Sequence, residues 1–443
     1  MRQNVDSNNS RRGDHDSNYC VSCCPWPADG RFSQSTRRHT AALLKFSVVR
    51  GGNLPYAVIF AIAAACTVAV EFRPDRIKLL APLALIPAVL LAGFRLDIGT
   101  DFANYARIFQ GQIIFSKVAE LGFVLFTWAT NQFDSSGRLA FVLSSLLICL
   151  GYFRFAYRYS PAPLFAWCLA LALPINFLAS LNLVKAHMAI AIGLLAICEA
   201  KDRRMWGALP LLLIAGSFHY LAFLIAPLVV FEGVTEKWQP RIFWGTILVF
   251  AVAMLAAFLL PYCARYAYFV SGHTSANSEL KALLFAAGAV CVGAWYVLRN
   301  GWRNLPTLML MLYVMMVAFW AFTDTSNFFL RMSAVFAPFS IAAFSILPSR
   351  IPLRRAYLVA ALIALGGLMT LTATRDNTLS PYQASLTIPS YAGACAGPAT
   401  LMEMLTETSE TTCEATATPT QIPQKSGGGW LGVLVSSFWL CRA

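Results

Sequence analysis

The chain has 443 residues, of which 58% are hydrophobic and only 12% charged, with a formal net charge of +13. A soluble domain carries roughly 25% charged residues, and here apolar runs of about 17–25 residues recur, which excludes an ordinary soluble enzyme and points to an all-α fold, a polytopic integral membrane helical bundle with disordered termini. The basic residues are scattered through short loops with no patch interleaved with aromatics, so the positive charge implies membrane orientation and no nucleic acid partner.

Residues 1–53 are polar, basic and poor in aliphatics, and read as a disordered N-terminal tail. The tail holds His15 and Cys20-Val21-Ser22-Cys23-Cys24, a weak metal-site pattern without a second Cys/His pair at finger-like spacing; the plainer reading is a floppy tail or an over-extended start. Residues 1–40 lack the apolar core of a secretory signal, and the first membrane helix is expected to direct its own insertion.

Spanning helices are predicted at 54–71, 77–94, 138–157, 162–181, 183–200, 242–261, 280–299, 304–323, 327–348 and 356–373. Two further segments resist a simple reading: 121–133 is apolar but too short to cross, and 205–231 is interrupted by Pro210, Gly216 and His219. Both are predicted as broken or re-entrant pieces, tolerated only where protein or a wet cavity lines them, for about 10–12 membrane segments in all. Residues 54–385 thus form the membrane domain, and 386–443, rich in Thr, Ser, Pro and Gly, a disordered C-terminal tail whose Trp430–Leu440 run is too short to span. Of the 12 cysteines, Cys66, Cys149, Cys168, Cys198, Cys263, Cys291 and Cys441 lie in or beside apolar runs, where Cys is most often a small apolar filler.

Lysines and arginines in short loops set the orientation. Arg73–Arg76, Arg154–Arg158, Glu199–Arg204, Arg299–Arg303 and Ser349–Arg355 are placed on the cytoplasmic side. Segment 95–120, Leu181-Asn182, 262–279, 323–325 and the stretch after Thr374 then fall outside, provided that 121–133 does not span and 205–231 enters and returns. The same alternation leaves the basic N-terminal tail outside.

A few polar residues are not needed for such a fold. In Phe94–Phe109, Thr100 is a candidate N-cap, Asp101 lies in the first turn of a short helix, and Tyr105 stands four residues on, on the same face, with Arg95 and Asp97 nearby. A carboxylate, a phenol and a guanidinium can hold sugar hydroxyls and accept a proton; the plain alternative is an interfacial helix with a snorkelling Arg95 and a local ion pair. Lys185 and His187 lie two residues apart near the outer end of an apolar helix, where a buried charge costs about 2.5 kcal/mol or more. His219 coincides with the expected break in 205–231. Asp324, Asn327 and Arg331 mark an outer helix start, with Arg331 an anion ligand or the neutralising partner of Asp324. Glu120 is a second carboxylate on the side of Asp101. No G-x-x-x-x-G-K-[ST] loop, H-E-x-x-H pair, acidic metal cluster or evident serine nucleophile occurs, so neither ATP hydrolysis nor a metal is expected.

Taken together, Arg95…Gly99-Thr100-Asp101…Asn104-Tyr105…Phe109 and Glu120-Leu121-Gly122-Phe123 resemble the opening motif of the EpsG family. Asn182-Leu183-Val184-Lys185-Ala186-His187-Met188-Ala189 is similar to that family's Asn-x-x-Arg-Gln-x-x-Ala helix, Ser217–Ala222 to its Phe-His-x-Ser-Ala element, and Ser380-Pro381-Tyr382 to its closing Pro-Tyr. The likeness covers about residues 54–385 and departs at Lys185-Ala186, where the family usually has Arg-Gln. Lys keeps the charge but loses the bidentate fork.

The resemblance implies a Wzy-like polymerase of exopolysaccharide or O-antigen. It would be a glycosyltransferase of the bacterial inner membrane that joins undecaprenyl-pyrophosphate-linked repeat units at the outer face. No cofactor is implied, because the lipid pyrophosphate is already an activated leaving group. In that reading Lys185, Arg331 and Arg95 bind pyrophosphate, Asp101 or Glu120 is the general base, and Tyr105 and His219 position sugars or tune the base. Partners would be the lipid-linked oligosaccharide, membrane lipid, and a flippase and chain-length regulator. The rival class is a flippase or other transporter, which also uses broken helices and midplane charges; an O-acetyltransferase or O-antigen ligase shares the same setting.

Overall fold

The computed structural model describes residues 53–99, 101–111, 120–173, 175–259, 304–322, 327–345 and 354–375, with Leu379, Ala384, Ser385 and Ile388, all within one compact unit, 46–443. The cysteines and His15 of the N-terminal tail, Thr100, the 280–299 span, Asp324, Ser380-Pro381-Tyr382 and the Trp430–Leu440 run lie outside the described residues.

The long apolar runs form helices, as expected of chains that must satisfy every backbone N–H and C=O internally in lipid. Helices α1 (Leu54–Phe72) and α2 (Ile77–Phe94) pack as a hairpin across the 3-10 turn Pro74–Arg76. The short α3 (Phe102–Phe109) and the 13-residue α4 (Leu121–Phe133) follow. Next come α5 (Arg138–Tyr159), α6 (Pro163–Ala172), α7 (Phe177–Ser180) and α8 (Val184–Lys201). After them run α9 (Met205–Phe218), a 3-10 segment Tyr220–Ile225, α10 (Ala226–Gly233) and α11 (Gln239–Leu259). The remaining described helices are α12 (Leu305–Phe322), α13 (Asn327–Phe336), α14 (Phe339–Phe344) and α15 (Arg354–Arg375). Among the described residues four helices are long and apolar enough to cross a membrane: Leu54–Phe72, Pro74–Phe94, Arg138–Tyr159 and Arg355–Thr374. Helix α5 is central, packing on α2 and α8, and α8 packs in turn on α9.

Three expectations are corrected. The 162–181 helix stops at Ala172, with Leu173 extended at φ −76°, ψ 120°, and resumes only as the one-turn α7. Pro174 follows, and a proline drives the residue before it out of the helical region. The 327–348 helix divides in the same way around Ala337-Pro338. In 205–231 the break is at His219 (φ −157°, ψ 124°), while Pro210 sits inside α9 without ending it.

Two ends of the bundle can be told apart by their polar contacts. At one, Arg154 and Arg158 both pair with Asp202, Arg203 donates to the carbonyls of Gly233 (3.1 Å) and Val234 (2.8 Å), and Arg355 lies 4.9 Å from the centre of the Phe72 ring. These are the segments assigned to one side from loop charge. At the other, Tyr56 donates to Leu379 O (3.0 Å), and Ser385 N donates to Phe94 O (3.0 Å) beside an Arg95–Ala384 bridge. Arg138, just beyond α4, donates to Gly93 O (2.9 Å) and Arg95 O (2.8 Å). The segment that follows the 13-residue α4 thus lies at this second end. The segment 205–231 changes direction at His219, as its interrupted sequence predicts.

Arg138 is almost wholly buried and serves the end of α2. The last carbonyls of a helix lack intrahelical donors, and a cation there also meets the negative end of the helix dipole. Replacing Arg138 by Met strands two buried carbonyls, each worth about 1–3 kcal/mol. The thermal midpoint of the detergent-purified variant should drop clearly, with Arg138→Lys recovering part of it; an unchanged midpoint would remove this role.

Asp134 performs the matching service for α5: its Oδ1 accepts from Ser136 N (2.9 Å) and its Oδ2 from Leu139 N (2.7 Å). Burial alone would raise its pKa, but hydrogen bonds from the Ser136 side chain and from the Leu139, Ser136 and Arg138 amides outweigh that and lower it. A lowered carboxylate stabilises the fold above its unfolded value, about 3.9, and loses that contribution as pH falls through the folded value. The stability gap between wild type and Asp134→Asn should therefore be present at pH 7 and close on acidification below about pH 4. A gap independent of pH would contradict this.

Candidate functional site

At the second end, three elements far apart in sequence are brought into contact by small residues. Gly99 takes φ +96°, a left-handed conformation that glycine adopts at no steric cost, and lies against the Leu181-Asn182 turn, where an added Cβ would be 2.7 Å from Leu181 O. Gly122, in the first turn of α4, lies against Ser217-Phe218 at the end of α9; a Cβ there would collide with Ser217 and approach the Phe218 ring to 2.9 Å. The first contact sets the opening motif beside the start of α8, and the second sets Glu120 beside His219.

The centre of the site is the Glu120 carboxylate, whose side chain is only 8% exposed. Its Oε2 is 2.5 Å from Lys185 Nζ, and its Oε1 is 3.3 Å from His219 Nδ1 and accepts from Tyr220 N at 3.3 Å. Lys185 and His219 are 23% and 16% exposed, so the cluster is largely buried but reachable. Lys185 Nζ also lies 5.9 Å from the centre of the Phe123 ring, a weak extra cation–π contact. Tyr105 joins from α3: its hydroxyl oxygen accepts from Lys185 N (3.3 Å), one of the first-turn donors of α8 that has no intrahelical partner. Burial raises the Tyr105 pKa; the Lys185 amide and the Arg95 charge act the other way, while Asp101 and Glu120 add to the rise. Tyr105 therefore stays a neutral phenol.

Asp101 sits at the N-cap position of α3, not inside its first turn, and its side chain makes no capping hydrogen bond. Its carbonyl accepts from Tyr105 N (3.0 Å), so the two keep the expected four-residue spacing. Arg95 is 1% exposed: it folds back to donate to Ala92 O (2.8 Å) and lies 4.9 Å from the centre of the Phe141 ring. It sits at the C-cap of α2, and its charge also acts on Tyr105. His187 is fully buried on another face of α8, with Nδ1 2.9 Å from Tyr152 Oη. The helix carrying Arg331, α13, packs on the 3-10 segment after His219, but the Arg331 side chain is outside the described residues. Among the described residues no group of three His, Cys, Asp or Glu is placed to hold a metal ion, and Cys66, Cys149, Cys168 and Cys198 are buried free thiols.

The residues that meet at this end come from the opening motif, the Asn182–Ala189 helix and the Ser217–Ala222 break, with Ala384 bridged to Arg95. Residues 78–384 match the EpsG family. The chain belongs to that family. No curated protein and no solved structure matches it. The EpsG family is polysaccharide-polymerase-like, which places this membrane protein in polysaccharide biosynthesis. In this EpsG chain position 185 is Lys, so a single ammonium, without the fork of a guanidinium, faces Glu120.

Sequence reasoning passed over Arg138 and the Gly122–Ser217 contact. An arginine opening an otherwise apolar helix was a visible signal for the first; the second depends on a tertiary approach that no local pattern announces.

The ion pair makes a clear energetic prediction. Lys185→Met leaves a nearly buried carboxylate without its cation, at a cost on the order of 3 kcal/mol, whereas removing both charges in Lys185→Met/Glu120→Leu avoids most of that cost. Unfolding midpoints of the two variants in detergent should therefore rank double above single; the reverse order would mean that the pair does not govern stability at this end.

Proposed function

We propose that this chain polymerises undecaprenyl-pyrophosphate-linked oligosaccharide repeat units into exopolysaccharide or O-antigen at the outer face of the bacterial inner membrane, as a multi-pass glycosyltransferase. The observation that carries the reading is the Glu120 carboxylate, held between Lys185 and His219 at the bundle end that also bears Asp101 and Tyr105. Family membership supplies the reaction class.

In the proposed step an acceptor-sugar hydroxyl attacks the anomeric carbon of the donor glycan. The new C–O bond forms as the bond from that carbon to the lipid pyrophosphate breaks. The hydroxyl proton passes to Glu120, a role worth about 10²–10⁴ in rate for a positioned general base. Lys185, with Arg331 as second cation, takes up the charge of the departing undecaprenyl pyrophosphate. Tyr105 holds the start of α8, and Arg95 acts on Tyr105 from behind. Asp101, the other outer carboxylate, binds acceptor hydroxyls. A flippase supplies the repeat units, and a chain-length regulator governs the product.

Gel profiles of surface glycan test both the base and the class. Glu120→Gln, at unchanged protein level, should reduce polymer to single repeat units on lipid, while Asp101→Asn should retain short polymer. The opposite pattern would make Asp101 the base, and normal ladders from both would remove the site. Lys185→Arg should keep far more polymer than Lys185→Ala. In a deletion strain single repeats should reach the cell surface; repeats trapped inside would instead identify a flippase.

A further inference from the structure

We infer that His219 is a positioning residue that holds the proton for Glu120 and couples that proton to the turn where α9 breaks. The inference rests on Glu120 as the base and adds where the proton goes next and what moves with it.

The argument is a conflict at one atom. Nδ1 of an imidazole has one in-plane position, filled either by a lone pair or by a hydrogen. Two partners compete for it here. Leu221 N points its hydrogen at Nδ1 from 3.3 Å, which requires the lone pair. Glu120 Oε1 lies at 3.3 Å as well, and a carboxylate there requires the hydrogen. A neutral His219 with the proton on Nε2 satisfies Leu221 and faces a lone pair toward Glu120. A His219 protonated on Nδ1 satisfies Glu120 and releases the Leu221 amide. The two states exclude each other, and the proton selects between them.

The released amide is not at an arbitrary place. His219 is the N-cap of the 3-10 segment Tyr220–Ile225, and its acceptance from Leu221 is the side-chain cap of that segment. Tyr220 N donates to the same Glu120 oxygen that faces His219. Proton movement between Glu120 and His219 therefore changes both side-chain bonds that hold the first turn after the break. Among the described side chains the neighbouring charged and titratable groups are Glu120 before α4 and Lys185 on α8 with Tyr105 from α3 behind it, and α13 is a further helix packed on the 3-10 segment. The arrangement lets His219 draw off the proton that Glu120 takes from an acceptor hydroxyl, so that Glu120 is again anionic against Lys185 for the next round.

The side-chain oxygen of asparagine occupies the place of Nδ1, so His219→Asn keeps an acceptor for Leu221 N but cannot carry the proton. In membrane vesicles supplied with lipid-linked repeat units, His219→Asn should slow chain extension at least 10-fold. It should also abolish the acid limb expected of wild type, where a proton already on His219 blocks transfer from Glu120. A rate and pH profile equal to wild type would overturn the proposal and leave His219 a turn-former. A second readout is independent of activity: ¹⁵N-histidine spectra of the detergent-solubilised full chain, with the resonance assigned by its absence in His219→Asn. His219 should titrate, and Glu120→Gln should shift its midpoint down by removing the carboxylate that favours the protonated form. A midpoint unmoved by Glu120→Gln also overturns the coupling. A shifted midpoint in a protein that makes no polymer would instead leave the coupling standing and refute the polymerase reading.

Discussion

A carboxylate that leaves water needs a cation close by, and Glu120 obtains one from a helix far along the chain. The 2.5 Å contact with Lys185 joins the start of α4 to the start of α8, and the same carboxylate reaches His219 at the end of α9. Three elements with little sequence proximity are thereby held in one arrangement. The desolvation of both charges makes that arrangement costly to leave, since either charge alone would stay buried and unpaired. The closeness of Gly99 to Leu181 and of Gly122 to Phe218 is the steric condition for this electrostatic contact, and the contact in turn gives those glycines their purpose.

One helix break, at His219, lies at the centre of this arrangement, and two helix ends adjoin it. Backbone that leaves helical geometry in a low-dielectric setting has to find other donors and acceptors. At His219 the side chain supplies an acceptor to Leu221 N, and Glu120 supplies another to Tyr220 N. At the end of α2 the freed carbonyls are met by Arg138, and Phe94 O by Ser385 N. The polar residues of the site are thus partly the repair of broken backbone. The chemistry that this EpsG chain is proposed to perform uses groups that the fold already had to place.

Most of the architecture was legible because its signals are local. Runs of apolar residues gave α1, α2, α5, α8 and α15 nearly to their ends, and loop charge gave the two ends of the bundle. The short α4 was legible from its length alone. The divisions at Pro174 and Pro338 were missed because an apolar run reads as continuous even where one residue cannot donate a hydrogen bond. Within the site, Glu120, Lys185, His219 and Tyr105 were each legible as polar residues in the wrong place, but their convergence was not, because it depends on close approach at two glycines. Arg95 was legible as a charge beside a motif, but not that its guanidinium would donate to Ala92 O and lie over Phe141.

The bond from Tyr56 to Leu379 joins positions 323 residues apart, and the Arg95–Ala384 bridge closes a loop almost as long. Closing a chain over such a separation is slow compared with forming helices, because the entropy of the loop is lost before the contact gives anything back. The end of the bundle that holds Glu120 is therefore sealed only after nearly the whole membrane domain has been synthesised and inserted. A nascent chain carries the cluster residues early but lacks the closing strap that fixes their surroundings. Assembly of the site is in this sense its own quality control: a chain cut short before Leu379 would hold every titratable group of the cluster and still lack the frame around it.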